Sequence, residues 1–256
     1  MSIKNIFSVI HDSAVKLLES NNILIFTGAG ISIESGIQAF RGNGGLWNEV
    51  DPIFCDIDYF YQNPKDSWEK LKKYFYQFYG KAKPNPAHYA CTELQKIGMV
   101  KRIITQNIDG LHTESGSVNV IEYHGSLKQL VCQRCGTIYQ IEKELISAAI
   151  PLCPQCKGIL KPNIVFFGEG IPEKAAKESE IAANSANAII ICGTTGEVMP
   201  ACQIPYIVSE HNGLVIEINP LQSSFTKRIT DYHIEGKAGE VFPLLVKEIK
   251  ELKNKQ

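Results

Sequence analysis

The chain has 256 residues, of which 44% are hydrophobic, and its formal net charge is −1. This length can bury a full core, either as one large domain or as one domain with an insert. The near-neutral charge provides no global basic field for nucleic acid, and no segment reaches the roughly 18 apolar residues that a membrane-spanning helix needs.

The N-terminal segment is predicted to be an amphipathic helix. Its apolar residues recur at helical spacing: Ile3, Phe7, Ile10, Ala14, Leu17 and Leu18. Charged residues interrupt this series, which argues against a secretory signal peptide. We therefore expect a protein of the reducing cytoplasm.

A short strand at 23–27 leads into the glycine-rich segment "GAGISIESG", which predicts a phosphate-binding loop. A strand that ends in glycines and opens a helix brings backbone N–H groups to an anion. The spacing fits neither common nucleotide motif. The dinucleotide fingerprint would need a third glycine at the position of Ile33, and no lysine follows the glycines as it does in a P-loop.

Apolar, β-branched runs alternate with helical segments along the rest of the chain. The runs at 101–105, 118–122, 187–192 and 214–219 are predicted to be strands, and those at 86–98, 172–185 and 241–253 to be helices. This alternation predicts an α/β fold with a Rossmann-like, doubly wound parallel sheet. Ligands of such sheets sit at the carboxyl ends of the strands.

Two segments break the alternation and are interpreted as inserts. Residues 43–84 are predicted to form a helical flap, and residues 126–160 a small zinc-binding module. The Rossmann-like domain then comprises residues 1–42, 85–125 and 161–256.

Four of the eight cysteines have the spacing of a structural zinc site. They form two Cys-x-x-Cys pairs: Cys132 with Cys135, and Cys153 with Cys156. Two redox-active pairs are the alternative, but a redox pair would not need a partner pair. A closed four-sulfur site leaves no position for a substrate, so the metal would hold shape only. The remaining cysteines are expected to be small buried residues: Cys55, Cys91, Cys192 and Cys202.

Polar residues follow several predicted strands, so we expect them to meet at one edge of the sheet. They are Gln106, Asn107, Asp109, His124, Gly193, Thr194, Thr195 and Asn219. Their amide and carboxylate groups suit ribose hydroxyls and a carboxamide, and the convergence carries this inference because each motif alone is weak. Two other histidines, His88 and His112, are expected to pack or to form hydrogen bonds instead of catalysing.

These motifs occur in the order found in the sirtuin family, and the chain resembles that family over nearly its whole length. The matching segments are "GAGISIESGIQAFRG", "TQNIDGLH", "YHGS", the four cysteines, "KPNIVFFGE", "GTTGEVMPA" and "EINP". Sirtuins are NAD-dependent protein-lysine deacylases. The resemblance therefore implies NAD as co-substrate, one structural zinc ion and acylated lysine side chains of proteins as substrates. It implies no direct partnership with nucleic acid or membrane, and we expect a monomer.

The resemblance also implies roles for individual residues. The cofactor residues would be Gly28, Ala29, Gly30, Ser32, Phe40, Arg41, Gln106, Asn107, Ile108, Asp109, Gly193, Thr194, Thr195, Asn219 and Ala238. The substrate peptide would pair with the strand that contains Val165, Phe167, Gly168 and Glu169. His124 would be the general base, while Asn107 and Asp109 would hold the departing nicotinamide. The products would be free lysine, nicotinamide and O-acyl-ADP-ribose.

The chain departs from the family pattern at two places. Gln38 and Ala39 stand where the family often has Pro-Asp, and the segment 193–196 is Gly-Thr-Thr-Gly where Gly-Thr-Ser-Leu is common. We expect NAD binding to survive both changes, because the loss of Pro-Asp leaves the phosphate cradle in place and Thr195 keeps a hydroxyl group.

Two other functions are weighed against lysine deacylation. An NAD-dependent ADP-ribosyltransferase or NAD glycohydrolase would use the same pocket, and a zinc-ribbon protein would bind nucleic acid. His124 beside a peptide-pairing strand favours the deacylase over the first alternative. The near-neutral charge disfavours the second.

The flap composition predicts the acyl selectivity. Family members that remove succinyl or malonyl groups recognise the distal carboxylate with a tyrosine and an arginine, but this chain has no arginine between Arg41 and Arg102. Its aromatic residues are expected to pack the flap onto the main domain, and any that line the acyl tunnel would accept methylene groups: Phe60, Trp68, Phe75 and Phe78. We expect activity on acetyl-lysine and longer apolar acyl groups, and poor activity on succinyl-lysine.

Overall fold

The computed structural model describes residues 3–42, 44–77 and 80–255, which form two separate sheets surrounded by helices. The strands are β1 Ile23–Thr27, β2 Val100–Thr105, β3 Val120–Glu122, β4 Gly125–Cys132, β5 Ile138–Gln140, β6 Leu160–Ile164, β7 Ala188–Cys192, β8 Leu214–Asn219 and β9 Tyr232–Glu235. The α-helices are α1 Ile3–Leu18, α2 Ile57–Gln62, α3 Pro64–Leu71, α4 Pro86–Lys96, α5 Leu111–Glu114, α6 Lys143–Ser147, α7 Glu173–Ser185, α8 Gln203–Glu210 and α9 Ala238–Lys253. None of the helices in these ranges combines the length and the apolar character that crossing a bilayer requires.

The larger sheet is parallel throughout, with the strand order β3-β2-β1-β7-β8-β9. Strands β1 and β7 are buried at every position, as expected for apolar runs covered by helices on both faces. The strand order reverses between β1 and β7, so the loops after these two strands flank the crevice in which doubly wound sheets bind ligands. The predicted Rossmann-like α/β fold is confirmed.

Two apolar cores cover the faces of this sheet. Helices α1, α4 and α9 contribute residues such as Leu17, Leu94 and Phe242 to one core, and α7 and α8 contribute Ala183 and Val208 to the other. The cysteines outside the two Cys-x-x-Cys pairs are buried, as predicted.

Two elements near the ligand edge differ from the prediction. Strand β9 was not predicted, because "YHIE" is short and only Ile234 is buried in it. The glycine loop opens a seven-residue 3-10 helix, Ala29–Ser35, and not an α-helix. Gly36 ends this helix in the left-handed region, at φ +83°.

The flap packs against the smaller sheet. That sheet is antiparallel with the order β5-β4-β6, and the flap consists of α2, α3, two 3-10 turns (Leu46–Asn48 and Pro52–Cys55) and a π-helix (Lys72–Tyr76). Phe60 and Trp68 are fully buried in one cluster with Leu130 and Leu160, and Trp68 Nε1 donates to the Leu160 carbonyl at 2.9 Å. Trp68 therefore packs against the zinc module and not, as expected, against the Rossmann-like domain. Phe60 and Phe75 do meet residues of the predicted Rossmann-like domain, since Phe60 contacts Phe166 and Phe75 contacts Phe40 at ring-centroid separations of 5.5 and 5.9 Å. Phe78 lies outside the described residues.

The smaller sheet reaches past the predicted end of the zinc module. Strand β6 continues to Ile164, where it pairs with Gly125 at the start of β4. The predicted module ended at residue 160, because the apolar run of β6 was assigned to the main domain. The division of the chain into domains stays a prediction.

Candidate functional site

The loops after β1 and β7 lie directly against each other at the point where the strand order reverses. The Gly28 N–H donates to the Cys192 carbonyl at 3.0 Å, and the Gly30 N–H donates to the Gly193 carbonyl at 2.8 Å. A Cβ atom at Gly30 would lie 2.7 Å from Gly193 Cα, closer than real Cβ contacts. The glycines are thus required for the close approach of the two loops, which forms the floor of the crevice.

The N-terminus of α9 also reaches this edge, but an intramolecular carboxylate caps it. The Gly239 N–H donates to Glu34 Oε2 at 2.6 Å, beside the predicted cofactor residue Ala238. This cap explains why α9 begins at Ala238 and not at residue 241 as predicted. One N–H group of the first turn of α9 is therefore already satisfied by Glu34, which extends from the 3-10 helix after the glycine loop.

Asn107 and Asp109, which follow β2, are joined to the glycine loop through Ser32. Ser32 Oγ donates to Asp109 Oδ2 at 2.7 Å, and Asn107 Nδ2 lies 3.2 Å from Ser32 Oγ and 3.1 Å from the Gly28 carbonyl. The other Asp109 oxygen accepts the Leu111 N–H at 2.9 Å. Burial raises the pKa of Asp109, although both hydrogen bonds favour the ionised form.

Thr194 is held from two strand ends. Gln106 Nε2 donates to Thr194 Oγ1 at 3.1 Å, and Asn219 Nδ2 donates to the Thr194 carbonyl at 3.0 Å. Asn219 is oriented in turn by the fully buried Glu217, at 2.8 Å. The structure therefore brings the predicted residues of β2, β7 and β8 together. Thr195 lies outside this contact and donates to Glu197 at 3.3 Å.

His124 lies between β3 and β4, with its ring oriented by the backbone. Its Nδ1 is 3.0 Å from the Gln106 carbonyl, which fixes the proton on Nδ1 because a carbonyl can only accept. Nε2 has no hydrogen-bond partner within the described residues and is free to accept a proton. Burial lowers the pKa of His124, which favours the neutral ring.

Four side chains behind the site were not predicted as site residues: Thr27, Thr105, His88 and His112. Thr27 Oγ1 lies 2.8 Å from Thr105 Oγ1 and 2.9 Å from His112 Nε2, and His88 Nε2 lies 3.5 Å from Ser32 Oγ. Burial lowers the pKa of His88 to about 4, and burial with the neighbouring His88 lowers that of His112 to about 3. The expectation that both histidines form hydrogen bonds is confirmed.

These buried histidines predict an acid-sensitive fold. Between pH 6.5 and about pH 4, unfolded histidines bind protons that the folded His88 and His112 refuse, so the free energy of unfolding should fall as the pH falls. The loss is at most about 1.4 kcal/mol per pH unit and per histidine. Urea denaturation at a series of pH values measures it. His112→Gln should flatten the dependence, whereas His211→Gln, at an exposed position, should not; equal slopes for the two variants would contradict the assignment.

A cavity of about 190 Å³ separates the flap from the main sheet. Its described lining is mostly apolar and includes Ala29, Ile37, Phe40, Leu46, Tyr74, Phe75, Ile108, Leu111 and Leu127, with Ser32, Gln38, Gln77, Asn107, Asp109, Glu114 and Lys128 as polar members. Phe40 stacks on Trp47 with a centroid separation of 5.2 Å. Arg41 is exposed and makes no hydrogen bond or ion pair with the described residues. The structure therefore does not bring Arg41 into contact with the other predicted cofactor residues.

The segment expected to pair with a peptide, 165–169, is fixed on both sides. The Val165 N–H donates to the His124 carbonyl at 2.9 Å, and the Phe167 N–H donates to the Cys55 carbonyl at 2.8 Å. Glu169 turns inward, where its carboxylate accepts from the buried Lys161 at 2.9 Å and from the Phe166 N–H at 2.7 Å. The Glu169 side chain thus supports the segment from behind.

The four cysteines of the small module fit a zinc ion. Their sulfur atoms lie within 4.8 Å of one another, and a tetrahedral site with Zn–S bonds of about 2.3 Å needs separations of about 3.8 Å. Backbone N–H groups of Arg134 and Gly158 point at Cys132 and Cys156 Sγ, both at 3.4 Å. The arrangement is closed and offers the metal no position for a substrate.

Comparisons with known proteins agree with this geometry. Residues 28–200 match the model of the Sir2 family. Over 246 residues the chain is 44% identical to an NAD-dependent protein deacylase of Pyrococcus furiosus, which covers 92% of this chain and 96% of the relative. The fold is similar to a Sir2 homolog–NAD complex, with a TM-score of 0.86 and 36% identity over 98% of this chain and 95% of the other. It is also similar to Sir2Af2 bound to a myristoylated histone peptide, with a TM-score of 0.81 and 34% identity; the match covers 97% of this chain and 99% of the other.

Proposed function

The chain belongs to the Sir2 family of NAD-dependent protein deacylases, and from this premise we propose that Asp109, Asn107 and His124 carry its lysine deacylation in the crevice between β1 and β7. The observation that carries the proposal is the contact network that joins Ser32, Asn107 and Asp109 at one end of an apolar cavity. An amide-bearing aromatic ring needs such a cavity, with apolar walls and a polar end.

The site residues fit NAD, the co-substrate. The cavity walls suit a nicotinamide ring, Asp109 provides acceptors for its carboxamide, and Asn107 Oδ1 has no other partner within the described residues. The touching loops at Gly28, Gly30 and Gly193 would hold the diphosphate, and Gln106, Thr194 and Asn219 would hold the remaining sugar. Bound NAD would supply two groups: the anomeric carbon, which bonds to the acyl oxygen as nicotinamide leaves, and the ribose hydroxyl that then takes the acyl group from lysine.

The chain's own groups orient the reactants and move one proton. Asp109 and Asn107 hold the carboxamide, so that the leaving group is fixed before its bond breaks. The neutral His124 ring then acts as general base: its Nε2 accepts the proton of the ribose hydroxyl that takes the acyl group. The acyl-lysine enters along 165–168, where Val165 and Gly168 retain unpaired backbone carbonyls among the described residues for β-strand pairing. ADP-ribosyl transfer and NAD hydrolysis are not favoured, because the curated relatives are deacylases.

Product analysis tests this function. Mass spectrometry of reactions with NAD and acyl-lysine peptides should give free lysine, nicotinamide and O-acyl-ADP-ribose in equal amounts. ADP-ribosylated peptide, or ADP-ribose formed without deacylated peptide, would instead support the transferase or glycohydrolase.

The cavity lining supports a preference for apolar acyl groups. A succinyl carboxylate would meet Asp109 and Glu114, with Lys128 as the single cation on the described lining, whereas a hydrocarbon chain would meet Leu46, Phe75 and their neighbours. We expect kcat/KM for a long-chain acyl peptide to equal or exceed that for acetyl, and succinyl to be at least about tenfold poorer. Tyr74→Arg places a guanidinium on this lining and should raise the succinyl-to-acetyl ratio. A succinyl preference of the parent protein would contradict the argument.

We also propose that the protein acts as a monomer in the cytoplasm, with the domain division given by the sequence. The support for the compartment is the arrangement of its cysteines, since thiolate zinc sites suit reducing conditions. Light scattering of the purified protein tests the oligomeric state.

A further inference from the structure

Lys128 lines the cavity from outside the flap, because it belongs to β4 of the smaller sheet. Its ammonium donates to the Gly110 carbonyl at 3.4 Å, a long hydrogen bond. Within the described residues, no carboxylate lies within 4.0 Å of Nζ, although Asp109 and Glu114 share the same cavity lining. The cavity therefore contains a cation whose charge is not neutralised by direct contact.

Gly110 provides the space in which this lysine lies. The residue has φ +74°, and a Cβ atom on it would be 2.4 Å from Lys128 Cε and 2.7 Å from Nζ. The lysine stem thus crosses the Gly110 peptide, immediately next to Asp109. Any side chain at position 110 would displace the ammonium.

The other groups around Asp109 provide no positive charge. Ser32 and Leu111 donate neutral hydrogen bonds to it, and the histidines behind Ser32 are buried and neutral. The remaining charged neighbours are Glu122 on β3, Glu114 on α5 with its partner Lys83, and Lys128. Burial raises the pKa of both Asp109 and Glu122, and the charge of Lys128 opposes both shifts.

We propose that Lys128 is a positioning residue for nicotinamide. The Lys128 ammonium is the counter-charge that keeps Asp109 ionised. This inference rests on the proposed role of Asp109 in holding the carboxamide. An ionised Asp109 presents acceptors only, whereas a protonated one turns an oxygen into a donor and loses an acceptor for the carboxamide N–H. Lys128 thereby extends the pH range in which the cavity binds the leaving group.

Five variants test the proposal: Lys128→Met, Lys128→Arg, Gly110→Ala, Gly98→Ala and Asp109→Asn. The Gly98 variant is the matched control, because Gly98 has φ +79° but no atom within 4 Å of its added Cβ. Nicotinamide binding to the protein saturated with ADP-ribose is measured by calorimetry at pH 8 and pH 6. The titration midpoint of the Asp109 carboxyl is measured by carbon-13 NMR in the ligand-free protein.

Lys128→Met and Gly110→Ala should lose about tenfold in nicotinamide affinity between pH 8 and pH 6, with a raised Asp109 midpoint. The nicotinamide affinity of the parent, of Lys128→Arg and of Gly98→Ala should change by less than about twofold between pH 8 and pH 6. If the Asp109 carboxyl of Lys128→Met titrates as it does in the parent, while Asp109→Asn fails to bind nicotinamide, the inference is wrong and the proposed function stands. If Asp109→Asn binds nicotinamide like the parent, the proposed role of Asp109 is itself wrong.

Discussion

Replacing His124 with alanine should lower kcat for deacylation by about 10²–10⁴-fold, the usual contribution of a general base. The affinity for NAD should stay within about twofold, because the imidazole makes its one hydrogen bond to the Gln106 backbone and not through a predicted cofactor side chain. Exchange of labelled nicotinamide into NAD should persist, since the base acts after the leaving group has departed. Steady-state kinetics, calorimetry and the exchange assay measure the three effects.

His211→Ala is the control, because His211 is exposed and lies at the C-terminal end of α8, just before β8 begins. It should match the parent in all three assays. A His124→Ala variant that retains most of its turnover would show that another group removes the proton. Activity of the parent should also hold at pH 6.5, where an exposed histidine is half protonated, because burial lowers the pKa of His124.

Removing one zinc ligand should unfold the smaller sheet and the flap together. Cys132→Ala or Cys156→Ala breaks a four-sulfur site, and structural zinc binding contributes on the order of 10 kcal/mol in small modules. Because the flap has its core in common with β4 and β6, hydrogen exchange should accelerate in both 46–76 and 125–164. The bound metal, one ion per chain in the parent, is measured by mass spectrometry.

Cys202→Ala provides the comparison, since Cys202 is buried but belongs to the core under α8. It should keep its zinc and lose only the free energy of a small cavity. Faster hydrogen exchange in the smaller sheet alone, with no change in the flap, would contradict the shared core. A metal-free protein that is fully folded and active would refute the structural role of the zinc.

The sequence predicts the main sheet well because its strands are buried on both faces. Runs such as "ILIFT" and "AIIIC" are buried at every position and apolar at all but Thr27, so they are distinct from the amphipathic helices around them. Strand β9 lacks this signal, since only Ile234 of its four residues is buried. The packing of Trp68 against the zinc module could not be predicted either, because an aromatic residue indicates burial but not the surface that buries it.

The site is predictable where it depends on strand order and not where it depends on side-chain contacts. Asn107, Asp109 and His124 each follow a strand of a parallel sheet, so their meeting at one edge follows from topology. The inward turn of Glu169 toward Lys161 and the position of Lys128 over Gly110 depend on how the chain packs in three dimensions, which the periodicity of the sequence does not encode.

The common core of the flap and the zinc module links two binding events that share no atoms. The flap lines the cavity and has its core in common with the zinc module, so any coupling between the two ligands must be reciprocal: each ligand changes the affinity for the other by the same factor. Trp68, bonded to the Leu160 carbonyl within that core, lies on the route of this coupling. We therefore expect the zinc, which takes no part in the chemistry, to raise the affinity for substrates, and the bound substrates to slow the loss of the metal.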